Sequence, residues 1–241
     1  MRPDLAVLYA LKKSEISEGL FLRAKQTGGT HTNRRSTEMS DQEKDREKSR
    51  VNVRQRADEI KPYRCKYLIA VLENPHDIKN IGTVIRNVNA LGVEKTYVVD
   101  SLKRLPEDWQ EMRDRRSLMK TSVSAIKWSF VKTFDSTEAC LQHLEQNRYT
   151  SIVTSPHVKG KENLILHEAD YTCPRLAVWF GNESRGVSDL AVARSKFCVS
   201  IPMFGMIESL NLGTSTGIVL YEITKQRREY QNKYKRANRS S

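Results

Sequence analysis

The sequence predicts an α/β domain built on a parallel sheet of five to six strands with helices on both faces. Three observations carry that expectation. Tyr67 to Leu72 and Leu176 to Phe180 are continuous apolar runs, the pattern of strands covered on both sides. Between Ile78 and Leu91, the residues Ile81, Val84, Ile85, Val88 and Leu91 recur at helical spacing. Runs of these two kinds then alternate along the chain, as repeated β–α–β units require.

Taken in order, residues 1–62 read as a flexible basic N-terminal extension. Leu5, Val7, Leu8, Leu11 and Leu20 to Leu22 suffice for short amphipathic helices. From residue 25 the Gly28-Gly29 run and the charged stretch from Ser40 to Arg56 carry too little apolar surface to offset ordering entropy. This is a linker with a solvated helix near its end or, alternatively, an RNA-contacting arm whose arginines meet phosphates. The compact domain is expected over residues 63–224. Its first strand, Tyr67 to Leu72, is followed by the Asn74-Pro75 turn and a helix that Gly92 closes. Thr96 to Val99 is the next strand. A polar, basic region from Lys103 to Ser124 holds the cluster Arg113, Arg115 and Arg116, expected to contact RNA. Phe130-Val131 is a short strand, Ser136 to Gln146 a helix, and Ser151 to Thr154 a strand. Leu176 to Phe180, a short helix over Leu190 to Ala193 and a last strand over Phe197 to Ile201 follow. A long helix runs from about Ser209 to Tyr234, and residues 225–241 form its basic end and tail.

The chain of 241 residues has a formal charge of +12, a sequence pI near 9.6 and 38% hydrophobic residues, a balance that points to a polyanionic partner, with nucleic acid first and an anionic membrane second. No apolar run approaches the roughly 20 residues needed to span a bilayer, and no signal-peptide pattern opens the chain, so a cytoplasmic protein with no membrane partner is expected. Cys65, Cys140, Cys173 and Cys198 are irregularly spaced and contain no C-x-x-C pair, which predicts reduced and mostly buried thiols. The histidines form no metal-binding spacing, and no metal is expected.

Ligands of parallel sheets sit beyond the carboxyl ends of the strands. Three loops lie there: residues 73–86, 181–188 and 202–211. None carries a G-x-G-x-x-G or a G-x-x-x-x-G-K-[ST] pattern, so dinucleotide and P-loop chemistry are excluded. Asn80 stands near the start of the first helix and can orient its first turn. Arg86 lies on an otherwise apolar helix, a costly place unless its planar fork holds an anion, and a surface arginine capping a partner fits the residues equally. In Gly181-Asn182-Glu183-Ser184-Arg185-Gly186 the glycines permit a sharp turn, and Glu183 can hold a cation or accept hydrogen bonds. In the third loop Gly205 permits an unusual path, and Ser209 and Asn211 are suited to open the final helix. That helix ends in seven cations (Lys225, Arg227, Arg228, Lys233, Lys235, Arg236, Arg239) against Glu229 alone, interleaved with Tyr230 and Tyr234. A solvated tail and an RNA grip through Arg227 and Arg228 both fit that composition.

Together the stretches Asn80-Ile-Gly-Thr-Val-Ile-Arg86, Val178-Trp-Phe-Gly-Asn-Glu-Ser-Arg-Gly186 and Ile201-Pro-Met-Phe-Gly-Met-Ile-Glu-Ser-Leu-Asn211 resemble, in order and spacing, the three motifs of the SpoU (TrmH-type) RNA 2'-O-ribose methyltransferases of the SPOUT superfamily. The resemblance covers roughly Tyr67 to Arg228. It implies a C-terminal deep trefoil knot, S-adenosyl-L-methionine as methyl donor, and a homodimer with the active site at the interface. It implies catalytic roles for Arg86, Asn80, Glu183, Ser209 and Asn211. It also implies a cofactor cradle at Thr154, Gly181, Ile201, Met203 and Leu210. The reaction it implies is attack of a ribose 2'-hydroxyl on a sulfonium methyl group. A guanidinium is a poor base, so Arg86 is expected to hold a neighbouring phosphate and stabilise the developing alkoxide rather than to take the proton. A tRNA substrate of the D-loop guanosine type is expected first and rRNA second. A knotted RNA-binding module without activity is the reading from another class.

Overall fold

The computed structural model describes residues 55–105, 111, 115–123, 125–156 and 160–237. The chain divides into two units, Met1–Ala57 and Asp58–Ser241, and the description below concerns the second. The expectations for residues 1–54, and for Arg113, lie outside the described residues.

The strands are β1 (Cys65–Glu73), β2 (Val93–Val99), β3 (Phe130–Phe134), β4 (Thr150–Thr154), β5 (Asn163–Ile165), β6 (Leu176–Phe180) and β7 (Cys198–Ser200). They form one sheet in the order β3-β2-β1-β6-β4-β7-β5, and every pairing is parallel. The sheet therefore has seven strands, not five to six. The additional strand, β5, is three residues long at the sheet edge beside β7, too short to carry a periodic apolar signal.

Helix α1 (Ile78–Ala90) and the long α5 (Leu212–Ala237) cover one face. Helices α3 (Thr137–Gln146) and α4 (Asp189–Ala193) cover the other. A short α2 (Arg116–Thr121) packs beside α1. Alternation along β1 divides the core: Leu68, Ala70 and Leu72 join Ile81, Val84, Ile85, Leu220 and Ile223, while Ile69 and Val71 join Leu141, Leu144 and Trp179. Cys65, Cys140 and Cys198 are buried and Cys173 is half-buried, and none of the four is in a disulfide among the described residues. Among the described residues no helix is long and apolar enough to cross a membrane.

Local chemistry sets the helix ends. Asp77, not Asn80, caps α1, its carboxylate accepting from Lys79 N–H at 2.8 Å, and Gly92 turns the chain out at φ +72°. Ser136 and Ser188 cap α3 and α4 through Ala139 N–H and Ala191 N–H. Pro202 follows β7, where a ladder amide is lost, and β7 stops at Ser200. The chain then runs without regular structure to Asn211, and the last helix starts at Leu212, three residues beyond the expected start at Ser209.

Candidate active site

The loops at the carboxyl ends of β1, β6 and β7 meet. Glu183 is the hub: one carboxylate oxygen accepts from His76 N–H at 2.8 Å, and the other from the Asn80 side-chain amide at 2.8 Å. Asp77 N–H lies 3.4 Å from the second oxygen. The Asn80 carbonyl oxygen in turn accepts from the Asn211 amide at 3.1 Å, and the Asn211 oxygen accepts from Gly213 N–H at 2.8 Å, capping α5. A single chain of hydrogen bonds thus joins Glu183, Asn80 and Asn211 across three loops. Partial burial raises the Glu183 pKa, but the Asn80, His76 and Asp77 donors outweigh it, and the carboxyl sits below its ordinary range. It is a carboxylate throughout the neutral range.

The loop between β6 and α4 is held shut by reciprocal backbone bonds, Asn182 N–H to Gly186 O (3.0 Å) and Gly186 N–H to Asn182 O (2.9 Å). The Asn182 side chain accepts from Ser184 and Arg185 N–H and donates to Asn74 O at 2.6 Å. Closure leaves no room at Gly181, where a Cβ would stand 2.1 Å from the Gly186 carbonyl carbon. At the base of the loop the buried Glu73 carboxylate accepts from Thr137 Oγ1 (2.6 Å), Ser188 Oγ (2.6 Å) and Ser188 N–H (2.8 Å). Sequence reasoning singled out neither Glu73 nor Asn182. A carboxylate directly after the apolar run Tyr67 to Leu72 was the available signal, since burying it demands donors.

Beside this network lies a cavity of about 500 Å³. Thr154, Gly181, Ile201, Met203 and Leu210, the five residues expected to cradle a cofactor, all line it, together with Glu183, Ser209 and Asn211. Phe180, Val199 and Val219 add apolar wall, and Glu208 a second carboxylate. Thr154 is turned inward, its hydroxyl donating to Trp179 O at 2.9 Å. A neighbouring cavity of about 420 Å³ shares Asn182, Ser184, Arg185 and Gly186 with it and adds His76 and Arg104.

Two expected catalytic residues are outside the lining. Asn80 supports Glu183 from behind, and Arg86 is not among the residues that line the cavity. Arg86 is exposed on α1, so the expected cost of burying it does not arise. Arg115 pairs with Glu111 at 3.4 Å, and Arg116 opens α2 in solvent. Arg227 is 5% exposed and donates to the carbonyls of Tyr171 (2.9 Å), Cys173 (2.5 Å) and Pro174 (3.1 Å), and to Cys65 Sγ (3.2 Å). Arg228 donates to Leu91 O at 2.6 Å. These two arginines hold the end of α5 against the sheet.

The model of the SpoU rRNA Methylase family matches residues 67–221 of this chain. The chain belongs to the SpoU methylase family. Among its curated relatives is the tRNA (guanosine(18)-2'-O)-methyltransferase of Thermus thermophilus, 29% identical over 174 residues, which are 72% of this chain and 82% of that one. The Escherichia coli enzyme of the same name is 28% identical over 161 residues, 66% of this chain and 64% of its own. The crystal structure of the Aquifex aeolicus TrmH/SpoU tRNA modifying enzyme superposes with a TM-score of 0.61 at 27% identity, covering 74% of this chain and 85% of that one. The SpoU methyltransferase AviRb of Streptomyces viridochromogenes, solved in complex with AdoMet, shares the SpoU fold with a TM-score of 0.58 at 23% identity, over 68% of this chain and 61% of that one.

Proposed function

We propose that the protein is an S-adenosyl-L-methionine-dependent RNA 2'-O-ribose methyltransferase acting on tRNA, and that it works as a homodimer. The observation that carries this reading is the Glu183–Asn80–Asn211 chain of hydrogen bonds beside one cavity lined by the five expected cradle residues. The cavity fits the donor. Its volume lies within the range of small-molecule sites. It offers apolar surface for an adenine ring from Ile201, Met203 and Leu210, and carboxylates for cationic groups from Glu183 and Glu208. When bound, the donor supplies an electrophilic methyl group on a positively charged sulfur.

The chain's own groups then have three tasks. Glu183 keeps the loops after β1 and β6 in register, so that the cavity wall is preorganised. Ser209, exposed at the cavity with its hydroxyl uncommitted among the described residues, and Asn211 orient the ribose hydroxyl. Arg86 holds the adjacent phosphate and stabilises the oxygen as it loses its proton to water. The tRNA relatives favour tRNA over rRNA as substrate.

Dimerisation is supported by apolar exposure next to the site. Phe204 is 96% exposed, and Met206, Ile207, Ile218 and Tyr221 are also open to solvent. Since Arg86 is not among the residues that line the cavity, the partner protomer supplies it. The trefoil knot is proposed on the crossings of the sheet order, in which β6 lies between β1 and β4 and β7 between β4 and β5. Transfer of labelled methyl groups to tRNA, with sedimentation to count protomers, tests the reading. A monomer that methylates tRNA at full rate contradicts the shared site.

A further inference from the structure

The opposite end of the sheet holds a second built cavity. Its volume is about 660 Å³, and it is lined by the 3₁₀ turn Lys61–Tyr63, the start of β1, the segment before β6 and the end of α5. Four of its ten lining residues are cations (Lys61, Arg64, Lys66, Arg227), two are tyrosines (Tyr67, Tyr230), and none is a carboxylate. Arg227 forms the floor, and all its partners are neutral carbonyls or a thiol, so its positive charge is buried without a counter-ion. Arg64 is likewise tied to carbonyls, those of Val93 (3.1 Å) and Glu94 (3.2 Å). Glu94, the carboxylate on the neighbouring strand, is engaged by the Tyr67 N–H at 2.7 Å and by Lys95 at 3.6 Å. Lys61 and Lys66 are exposed and unpaired among the described residues.

The backbone is bent to build this surface. A bulge in β1 between Cys65 and Ile69 turns both Lys66 and Tyr67 to solvent, where a regular strand would turn only one. Tyr67 sits at φ +62°, a conformation that bulky residues adopt at a cost. Tyr67 is 47% exposed, with the Arg175 guanidinium 5.1 Å from its ring centroid. Strain held at an exposed aromatic residue, beside unpaired cations and above a buried guanidinium, is the arrangement expected where a base stacks and a phosphate is held.

We propose that this cavity binds an unpaired nucleotide of the substrate RNA, with its phosphate at Lys61 and Lys66 and its base on Tyr67 or Tyr230. The inference rests on the RNA reading above and extends it to a contact at the far pole. β1 has nine residues, which separates the two ends by roughly 25–30 Å. An RNA spanning both ends would be gripped by shape as well as by its target nucleotide.

The test is tRNA binding by the full-length protein at several salt concentrations, without methyl donor. Lys61→Ala/Lys66→Ala should weaken binding by about tenfold or more and flatten the salt dependence by about one phosphate contact. Tyr67→Gly should weaken binding while the melting temperature is kept, because glycine relieves the left-handed backbone. Donor affinity by calorimetry should not move in either variant. Wild-type RNA affinity and salt slope in both variants would overturn the proposal. So would guanosine monophosphate competing as well as an oligonucleotide, which would make this a free-nucleotide site. Weakened RNA binding in these variants, combined with a wild type that transfers no methyl group, would leave this inference standing and remove the enzymatic reading instead.

Discussion

The two ends of the sheet solve the burial of polar groups in opposite ways. At the carboxyl end, loops from β1, β6 and β7 are joined through neutral amides to one carboxylate, and the cavity beside them carries apolar wall and acid groups. At the amino end, guanidinium groups are fixed by carbonyls and the cavity carries cations and tyrosines. Arg86 and Arg227 show the contrast within one residue type. Arg86 stands on an apolar helix and is exposed to solvent. Arg227 stands in a run of surface charge and is buried, holding the fold. An arginine's role here follows from whether backbone acceptors surround it, not from the hydropathy of its sequence neighbours.

The largest effect is expected at Arg86. Arg86→Ala should lower kcat by about 10²–10³ and leave the melting temperature and donor affinity alone. Mixed dimers with Asn211→Ala should regain part of the lost activity, which methyl-transfer assays on mixed protomers would detect. Next comes Gly181→Ala, whose Cβ collides with backbone rather than with a movable side chain. It should weaken donor binding measured by calorimetry, with strain of about 1–3 kcal/mol. Arg227→Met should cost stability of similar size, about 1–3 kcal/mol by thermal melting, because three carbonyls lose their donor. Arg227→Lys should not restore it, since one ammonium cannot match a planar fork. Smaller still, Asn80→Ala and Asn211→Ala should couple by about 1 kcal/mol in a double-mutant cycle on donor affinity. Smallest is the acid dependence. With its folded pKa lowered, Glu183 contributes its full stabilisation above the ordinary carboxyl pKa and loses it only as the pH falls through the lowered value. Donor affinity should therefore be flat through the neutral range.

Much of this was legible in the chain. β1 and β6 declared themselves as apolar runs, α1 by its period, and the three loops by their place after strands. The cavity lining was legible only through the motif resemblance, because no spacing rule relates Thr154 to Leu210. β5 escaped for want of length. The burial of Arg227 was written in the sequence and passed over. Thr216, Leu220, Ile223 and Arg227 follow one helical face at spacings of four, three and four, and all four are buried, but the dense charge of residues 225–239 masked the stripe. Asn80 was expected to orient the first turn of α1. It is instead the bridge between Glu183 and Asn211, because Asp77 already satisfies the first turn.

The most direct test of the enzymatic reading is transfer of labelled methyl groups from S-adenosyl-L-methionine to unmodified tRNA and rRNA, with mapping of the product nucleotide. A single 2'-O-methylated ribose in tRNA, absent with Arg86→Ala, is the predicted result. Wild-type protein that binds the donor and tRNA but methylates neither RNA would contradict it.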